Sequence, residues 1–382
     1  MAERIILGGG GHAHLSVLAD WALRPLAGAQ CRLVTSSRYT AYSGMLPGWL
    51  AGNYRADELL IDLAPLAVQA GAELVIADIV GLDADARTID LSSGASLAFD
   101  LLSLGTGGQA DVTRLSALGD KLLPVKPVDG FISKWSAFAE QAPRRGTAEV
   151  VVVGGGAAGV EMAFGIDAAL RRCNVQARVS LVTHEAGFLA GHAEKARALV
   201  LAALARRGIA TRYAHANGTP DGLILSDGTF LHADCVVAAT GSRAQSWLAH
   251  SGLACSAQGF VQTRANLRSI SHPFILAAGD VIERIDRQLE RSGVHAVKAG
   301  PVLAANIRAS LDDTSLDGSR DHTYSPRDRT LYLLAHGNRK AILSWGSFVT
   351  AGKWVWRLKD WIDRGFVQRY QSAATKMNAK GT

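Results

Sequence analysis

Short runs of consecutive apolar residues mark the predicted strands of this chain. Ile5–Leu7 and Val150–Val153 are two such runs, and a cluster of glycines follows each of them. Uninterrupted, β-branched runs of this length are typical of parallel strands that are buried on both faces. Each glycine cluster is followed by apolar residues at helical spacing. The pattern therefore predicts two strand–turn–helix units, far apart in the chain.

The two glycine clusters follow the spacing Gly-x-Gly-x-x-Gly to different extents. The second, GGGAAG, is complete with Gly154, Gly156 and Gly159, whereas the first has Gly9 and Gly11 but His14 at a position that normally holds a small residue. Unpaired backbone N–H groups at such a helix start bind pyrophosphate, and glycine allows its close approach. Two such turns predict two dinucleotides, between which the protein would transfer electrons.

Three more turns are predicted at the ends of apolar strands. Leu104–Gly107 follows FDLLS, Ala239–Gly241 follows CVVAA, and Gly279–Asp280 ends FILAAGD. Each of them alone is more often a plain turn, but their order along the chain supports the prediction of two dinucleotides. A carboxylate at the Asp280 position can accept hydrogen bonds from the hydroxyl groups of a sugar or a ribityl chain.

Composition favours a globular protein of two or three domains, with 382 residues of which 48% are hydrophobic and 19% charged. We find no secretory signal and no apolar run of transmembrane length. The net charge of +6 is concentrated near the end, where residues 351–382 contain seven basic and two acidic side chains. The rest is nearly neutral, so we expect no nucleic-acid partner.

The cysteines are dispersed and fit no known metal or redox spacing. Cys31, Cys173, Cys235 and Cys255 form neither CxxC nor CxxxxC. We therefore expect buried, reduced thiols in a cytoplasmic protein, with no metal site and no redox-active disulfide.

Segment 350–366 has the apolar spacing of an amphipathic helix. Its apolar stripe consists of Trp354, Val355, Leu358, Trp361, Ile362 and Phe366, and its polar cluster of Lys353, Arg357, Asp360 and Arg364. Tryptophan opposite cations suits a membrane interface, so we predict peripheral membrane contact through 351–371. The alternative is a helix packed on the protein body or in the seam of a homodimer.

In this order the motifs resemble the flavoproteins called pyridine nucleotide-disulfide oxidoreductases, and within them the type II NADH dehydrogenase and apoptosis-inducing-factor group. Segments 36–52, 99–108 and 356–371 are similar to a subfamily whose members stand alone or are fused ahead of selenide water dikinase. The resemblance implies an α/β fold of two Rossmann-like, three-layer ββα domains, the second inserted in the first. It implies an FAD domain over 1–125 and 256–318, an NAD(P) domain over 126–255, and a small C-terminal α+β region over 319–382.

The resemblance also assigns contacts to both cofactors. Those to FAD are Gly9, Gly11, His12, Ala13, Thr106, Gly107, Gly279, Asp280, Val294 and Ala296. Those to NADH or NADPH are Gly154, Gly156, Ala157, Gly159, Glu161, Thr183, Thr240 and Gly241.

Several positions depart from the family pattern. His14 is either accommodated by a slightly wider helix–strand approach or placed near FAD. Ser36 and Arg38 stand where an acid normally holds the adenosine ribose of FAD, and we expect them to contact FAD instead. Thr183 stands where an acid would favour NAD, Glu185 comes two residues later, and no basic residue is adjacent, so we favour NADH over NADPH.

The positions of the four cysteines argue against thiol chemistry at the flavin, since none falls on the segments that would contact it.

The helix that would face the flavin carries Val294 and Lys298 where type II NADH dehydrogenases usually have two glutamines. Either His295 or Lys298 would polarise a quinone carbonyl or stabilise reduced flavin. The alternative is a packing histidine and a solvated lysine.

These observations lead to an FAD-dependent NAD(P)H oxidoreductase that passes electrons to a membrane quinone at the cytoplasmic face of the inner membrane. One alternative is a flavin- and NADH-binding redox partner or sensor linked to selenium metabolism, with little quinone turnover. Another is a reductase of a small protein or metal acceptor.

Overall fold

The computed structural model describes residues 2–184, 186–312, 318, 320–327 and 329–375. Its α-helices are His12–Leu23, Leu46–Leu50, Ala56–Leu59, Leu63–Gln69, Val128–Arg145, Ala157–Arg172, Glu194–Arg207, Gly293–Asp312 and Lys353–Thr375. Shorter 3-10 turns span Ser43–Met45, Thr113–Lys121 and Ser246–His250.

The first glycine cluster belongs to a five-stranded parallel sheet. Its strands, in spatial order, are Ile275–Ala277, Leu101–Leu104, Glu3–Gly8, Ala29–Thr35 and Ala72–Ile76. Helices His12–Leu23 and Gly293–Asp312 pack together on one side of it. An antiparallel sheet packs on the other side, with strands Ile79–Asp83, Thr88–Leu91 and Ser96–Ala98. The result is a three-layer ββα domain.

The second glycine cluster belongs to a sheet of the same design. Its parallel strands, in spatial order, are Leu122–Pro124, Cys235–Ala238, Thr147–Val153, Gln176–Thr183 and Ala210–Tyr213. The antiparallel strands Ala216–Thr219, Gly222–Leu225 and Phe230–His232 form its third layer. Because Ile275–Ala277 completes the first sheet only after this sheet is finished, the second domain is inserted in the first. The predicted fold is confirmed, while the exact domain boundaries stay a prediction.

The inserted domain is entered and left through adjacent segments. Gln109–Ala110 on the way in pairs in antiparallel fashion with Ser242–Arg243 on the way out. Two other two-stranded ribbons, Tyr39–Ala41 with Leu60–Asp62 and Val261–Thr263 with Ile282–Arg284, complete the first domain.

The C-terminal region consists of the antiparallel strands Leu331–Ala335, Ala341–Trp345 and Phe348–Gly352 and the helix Lys353–Thr375. The helix exists as predicted, but its faces differ from the prediction. Val355 is buried, whereas Trp354 and Trp361 are 51% and 73% exposed. Lys359 and Asp363 are buried, and they form an ion pair with each other at 3.1 Å. Part of the predicted stripe therefore packs inward and part faces outward.

Two further features bear on the sequence predictions. Over the part of the chain that the structure describes, no helix combines the length and the apolarity that a membrane span requires. All four cysteines are free; Cys31 and Cys235 are buried as expected, whereas Cys255 is only partly buried. The expectation of a buried thiol is wrong for Cys173, which is exposed because it lies just past the end of helix Ala157–Arg172.

Candidate active site

One large cleft runs between the two parallel sheets, at the carboxyl ends of their central strands. It has a volume of about 2190 Å³ and is lined by the glycine clusters of both domains. The strand-end turns at Gly105–Gly108, Ala238–Ser242 and Ala278–Asp280 also line it. The structure therefore brings the three strand-end turns and both glycine clusters to one cleft.

The first glycine turn is shaped by its contact with the neighbouring strand end. Gly9 has φ +96°, and a Cβ there would lie 2.7 Å from the carbonyl group of Gly105. A Cβ at Gly11 would lie 2.4 Å from the same carbonyl oxygen. The helix that begins at His12 has no side-chain cap at its N-terminus, and its first residues, His12 and Ala13, line the cleft. This is an arrangement that binds the pyrophosphate of a dinucleotide.

His14 is a structural residue of this turn. Its ring is fully buried, donates from Nδ1 to the Gly9 carbonyl at 2.6 Å, and accepts at Nε2 from the Ser103 hydroxyl at 2.8 Å. Burial lowers the pKa of His14 to about 4, so the ring is neutral. It is not among the residues that line the cleft. A Cβ at Gly105 would lie 2.8 Å from the ring, so glycine there makes room for the histidine.

The second glycine turn repeats this design in the inserted domain. A Cβ at Gly154 would lie 2.1 Å from the Ala239 carbonyl oxygen, and one at Gly159 would lie 1.9 Å from the Gly154 carbonyl oxygen. Gly156 differs, because nothing lies within 4 Å of a Cβ built there. It precedes the uncapped start of helix Ala157–Arg172 and lines the cleft. The open space at Gly156 leaves room for a ligand at this helix start.

The strand ends contribute polar groups to the cleft, and one of these groups has no hydrogen-bond partner among the described residues. The Thr106 hydroxyl is buried and has no hydrogen-bond partner among the described residues, which fits a bound cofactor. Asp280 forms an ion pair with Lys126. The Thr240 hydroxyl, in contrast, already donates to the Asp111 carbonyl at 2.7 Å.

The other predicted contacts divide into those inside and outside the cleft. Inside it are Gly9, Gly11, His12, Ala13, Ser36, Thr106, Gly107, Gly154, Gly156, Ala157, Glu161, Thr183, Thr240, Gly241, Gly279, Asp280, Val294, Ala296 and Lys298. Gly159, Arg38 and His295 are not among its lining residues; Gly159 instead packs against the Gly154 carbonyl. Arg38 pairs with Asp62 at 2.7 Å, and His295 is hydrogen-bonded to the Tyr324 hydroxyl at 2.8 Å. Glu185 lies outside the described residues.

The sequence of this chain matches the pyridine nucleotide-disulphide oxidoreductase family over residues 3–300. The chain belongs to this family. Among curated proteins, two NADH dehydrogenase-like proteins of Mycobacterium tuberculosis strains are each 32% identical over 241 residues, which are 60% of this chain and 60% of each relative. The match thus spans less than two thirds of these relatives' length.

Solved structures of other oxidoreductases have the same fold. NDH2 from Plasmodium falciparum in complex with NADH has a TM-score of 0.82 at 12% identity, over 99% of this chain and 98% of that one. The sulfide:quinone oxidoreductase of Aquifex aeolicus has a TM-score of 0.78 at 17% identity, over 97% and 92%. At such low identity these likenesses establish the fold of this oxidoreductase family member, and nothing about its acceptor.

A charge cluster, formed by the half-buried Glu161 and the buried Lys359 and Asp363, lies in the same cleft of this oxidoreductase. Lys359 donates to the Gly44 carbonyl at 2.9 Å and forms an ion pair with Asp363 at 3.1 Å, and Glu161 accepts from the Ala335 N–H at 2.8 Å. Of these residues, the sequence prediction included only Glu161, as a nicotinamide-cofactor contact. The i,i+4 spacing of Lys359 and Asp363 was the available signal, and nothing in the sequence marks it as buried.

We expect the ionisation of Glu161 to lower the free energy of unfolding as the pH rises from about 4.5, the ordinary pKa of glutamate, to about 7. Burial raises the pKa of Glu161 to about 7, although Lys359 and the Ala335 N–H both act to lower it. The unfolded chain therefore loses the proton first, and ionisation favours unfolding by as much as about 3 kcal/mol. Glu161→Gln should remove this drop when chemical denaturation is compared at pH 5 and pH 8.

The control for this measurement is Glu194→Gln, at an exposed carboxylate of another helix. It should keep the pH dependence of the parent protein. A Glu161→Gln variant whose unfolding free energy changes with pH as the parent's does would contradict the raised pKa.

Aromatic rings form one wall of the cleft next to this charge cluster. Tyr42 and Phe366 are stacked with ring centroids 4.4 Å apart, and the His12 ring lies 5.5 Å from Tyr42. Ile362, 37% exposed, also lines the cleft. The arrangement offers a planar apolar ligand an aromatic surface beside ionisable groups.

Proposed function

We propose that this protein is an FAD-dependent NADH oxidoreductase that passes electrons to a membrane quinone. The observation that carries the proposal is the single cleft that joins two glycine turns, each followed by an uncapped helix start. FAD, when bound, accepts hydride from NADH and releases electrons to the acceptor. The protein's own residues bind and orient both dinucleotides, and no general base is required for the hydride step.

The two ends of the cleft divide these binding tasks. Helix His12–Leu23 and the buried Thr106 hydroxyl would hold FAD, together with Asp280. Helix Ala157–Arg172 would hold the nicotinamide cofactor. Thr183 lines the cleft where the adenosine ribose would lie, and its hydroxyl suits NADH better than the 2′-phosphate of NADPH.

Quinone is proposed because the aromatic side of the cleft lies beside an exposed apolar surface. The membrane-facing patch, as we define it, consists of Trp345, Phe348, Trp354 and Trp361, each at least 51% exposed. Two of these residues lie on the C-terminal helix that also supplies Ile362 and Phe366 to the cleft. Exposed tryptophans near basic side chains suit a lipid interface, and a lipid-soluble quinone must be reached there.

Reduction of the protein without oxygen tests the proposed electron route. We expect the FAD-loaded protein to lose its yellow flavin absorption on addition of NADH, and to regain it on addition of a short-chain quinone. Bleaching by NADH with no recovery on quinone would reject the acceptor and leave the NADH–flavin half intact. A flavin that NADH does not bleach would reject the donor.

Loss of the membrane-facing patch should lower the rate with a membrane-bound acceptor and leave the rate with a soluble acceptor unchanged. We expect Trp354→Ser/Trp361→Ser to retain its rate with a short-chain quinone and to lose at least tenfold in rate with a long-chain quinone in anionic vesicles. The matched control is Tyr213→Ser, which removes an exposed aromatic residue of the inserted domain. Equal rates on vesicles for the double variant and the parent would reject membrane docking through this patch.

Cytoplasmic location at the inner membrane, a homodimer and the relation to selenium metabolism stay predictions. The vesicle experiment addresses only the first of them.

A further inference from the structure

Lys126 connects the entry into the inserted domain with the flavin side of the cleft. It follows strand Leu122–Pro124, in the stretch PVKP that leads to helix Val128–Arg145. Its ammonium group forms an ion pair with Asp280, although 154 positions separate the two residues in the chain. It also donates to the Ser242 hydroxyl at 2.9 Å. Three distant segments therefore meet at one lysine.

The surroundings hold this lysine in place at the cleft. Lys126, Ser242 and Asp280 all line the cleft. The Asp280 side chain is 14% exposed and that of Lys126 is 34% exposed. A Cβ at Gly108 would lie 3.2 Å from the Cβ of Ser242 and 3.6 Å from the Asp280 carbonyl oxygen, so the strand end is closely packed around the pair.

An ion pair between the segment that enters the inserted domain and Asp280 of the first domain would be a sufficient structural role for Lys126. The position of this pair at the cleft adds a chemical role. If FAD binds as proposed, Asp280 places a carboxylate beside a cofactor whose reduced form is an anion at neutral pH. Charge near the flavin ring sets the balance between its oxidised and reduced forms. An unpaired carboxylate there would oppose reduction, and the ammonium group of Lys126 compensates for it.

We propose that Lys126 is a positioning residue that orients Asp280 and supplies the positive charge that favours reduced flavin. This inference rests on the FAD assignment of the proposed function, but on neither the donor nor the acceptor. Lys298 also lines the cleft, from helix Gly293–Asp312. Lys126 is distinguished from it by its direct bond to the carboxylate.

The test is the midpoint potential of the bound flavin, measured by dye-mediated titration with a chemical reductant. For Lys126→Met we expect the equilibrium to shift at least tenfold toward oxidised flavin, which is about 30 mV for a two-electron couple. Lys126→Arg keeps the charge and should restore most of the potential. The matched control Lys121→Met removes a lysine that pairs with Asp221, outside the cleft lining, and should leave the potential unchanged.

A second variant tests whether the shift in potential comes from loss of the charge or from loss of the fold or the cofactor. Lys126→Gln retains a hydrogen-bond donor toward Ser242 and Asp280 but has no charge, and it should show the same shift as Lys126→Met. An unchanged potential in a flavin-loaded Met or Gln variant would overturn the inference and leave the proposed function standing. If neither variant retains flavin while Lys121→Met does, Lys126 acts in binding and the tuning role is overturned. A parent protein that binds no FAD would overturn both proposals.

Discussion

Replacement of Gly156 by leucine should give a folded, yellow protein that NADH no longer bleaches. The backbone at Gly156 has φ −72°, which any residue adopts, and an added Cβ would meet no atom within 4 Å. The leucine side chain would instead fill the space in front of helix Ala157–Arg172, where we place the pyrophosphate of NADH. We expect the apparent affinity for NADH to fall at least 100-fold, about 2.7 kcal/mol.

The readouts for Gly156→Leu are flavin content, thermal unfolding and stopped-flow bleaching at increasing NADH concentration. Gly365→Leu is the matched control, because Gly365 is exposed on the C-terminal helix and also has nothing within 4 Å of an added Cβ. It should bleach like the parent. Normal bleaching of Gly156→Leu would mean that NADH binds elsewhere.

Replacement of Asp280 by alanine should give a protein that is purified nearly colourless. The carboxylate lies at the strand end where the ribityl chain of FAD would lie, and a hydrogen bond to a charged group contributes about 1.5–3 kcal/mol. Loss of Asp280 also leaves the Lys126 ammonium without its carboxylate partner. We expect FAD affinity to fall roughly 10- to 150-fold, measured by fluorescence titration of the apoprotein.

Asp280→Asn provides the graded comparison, since it keeps a hydrogen-bond acceptor and removes the charge. Its FAD affinity should lie between those of the parent and of Asp280→Ala. A flavin content for Asp280→Ala equal to that of the parent would exclude Asp280 from the FAD site.

The features that could be predicted from the sequence are those with local causes. A glycine cluster after a buried strand constrains the backbone within a few residues, so both turns and the three further strand ends are where the pattern placed them. The inserted domain was implied by the family that these motifs resemble. No contact between distant residues had to be known for either prediction.

The features that escaped prediction depend on such distant contacts. His14 stands at a position that favours a small residue, and the reason is a hydrogen bond to Ser103, 89 positions away. The bond between Lys126 and Asp280 joins two domains. In the C-terminal helix the apolar spacing was recognisable, but only the packed structure shows that Lys359 and Asp363 face inward while Trp361 faces outward. Periodicity identifies a helix, and its neighbours decide which face is covered.

The antiparallel pairing of Gln109–Ala110 with Ser242–Arg243 has a consequence for the history of this architecture. Both connections to the inserted domain lie side by side, as the two strands of a hairpin do. To the first domain the whole insertion is therefore equivalent to one long surface loop, and chain ends that lie close together are the condition under which such insertions are tolerated. Removal or replacement of the inserted domain would therefore leave the strand order of the first domain's parallel sheet unchanged.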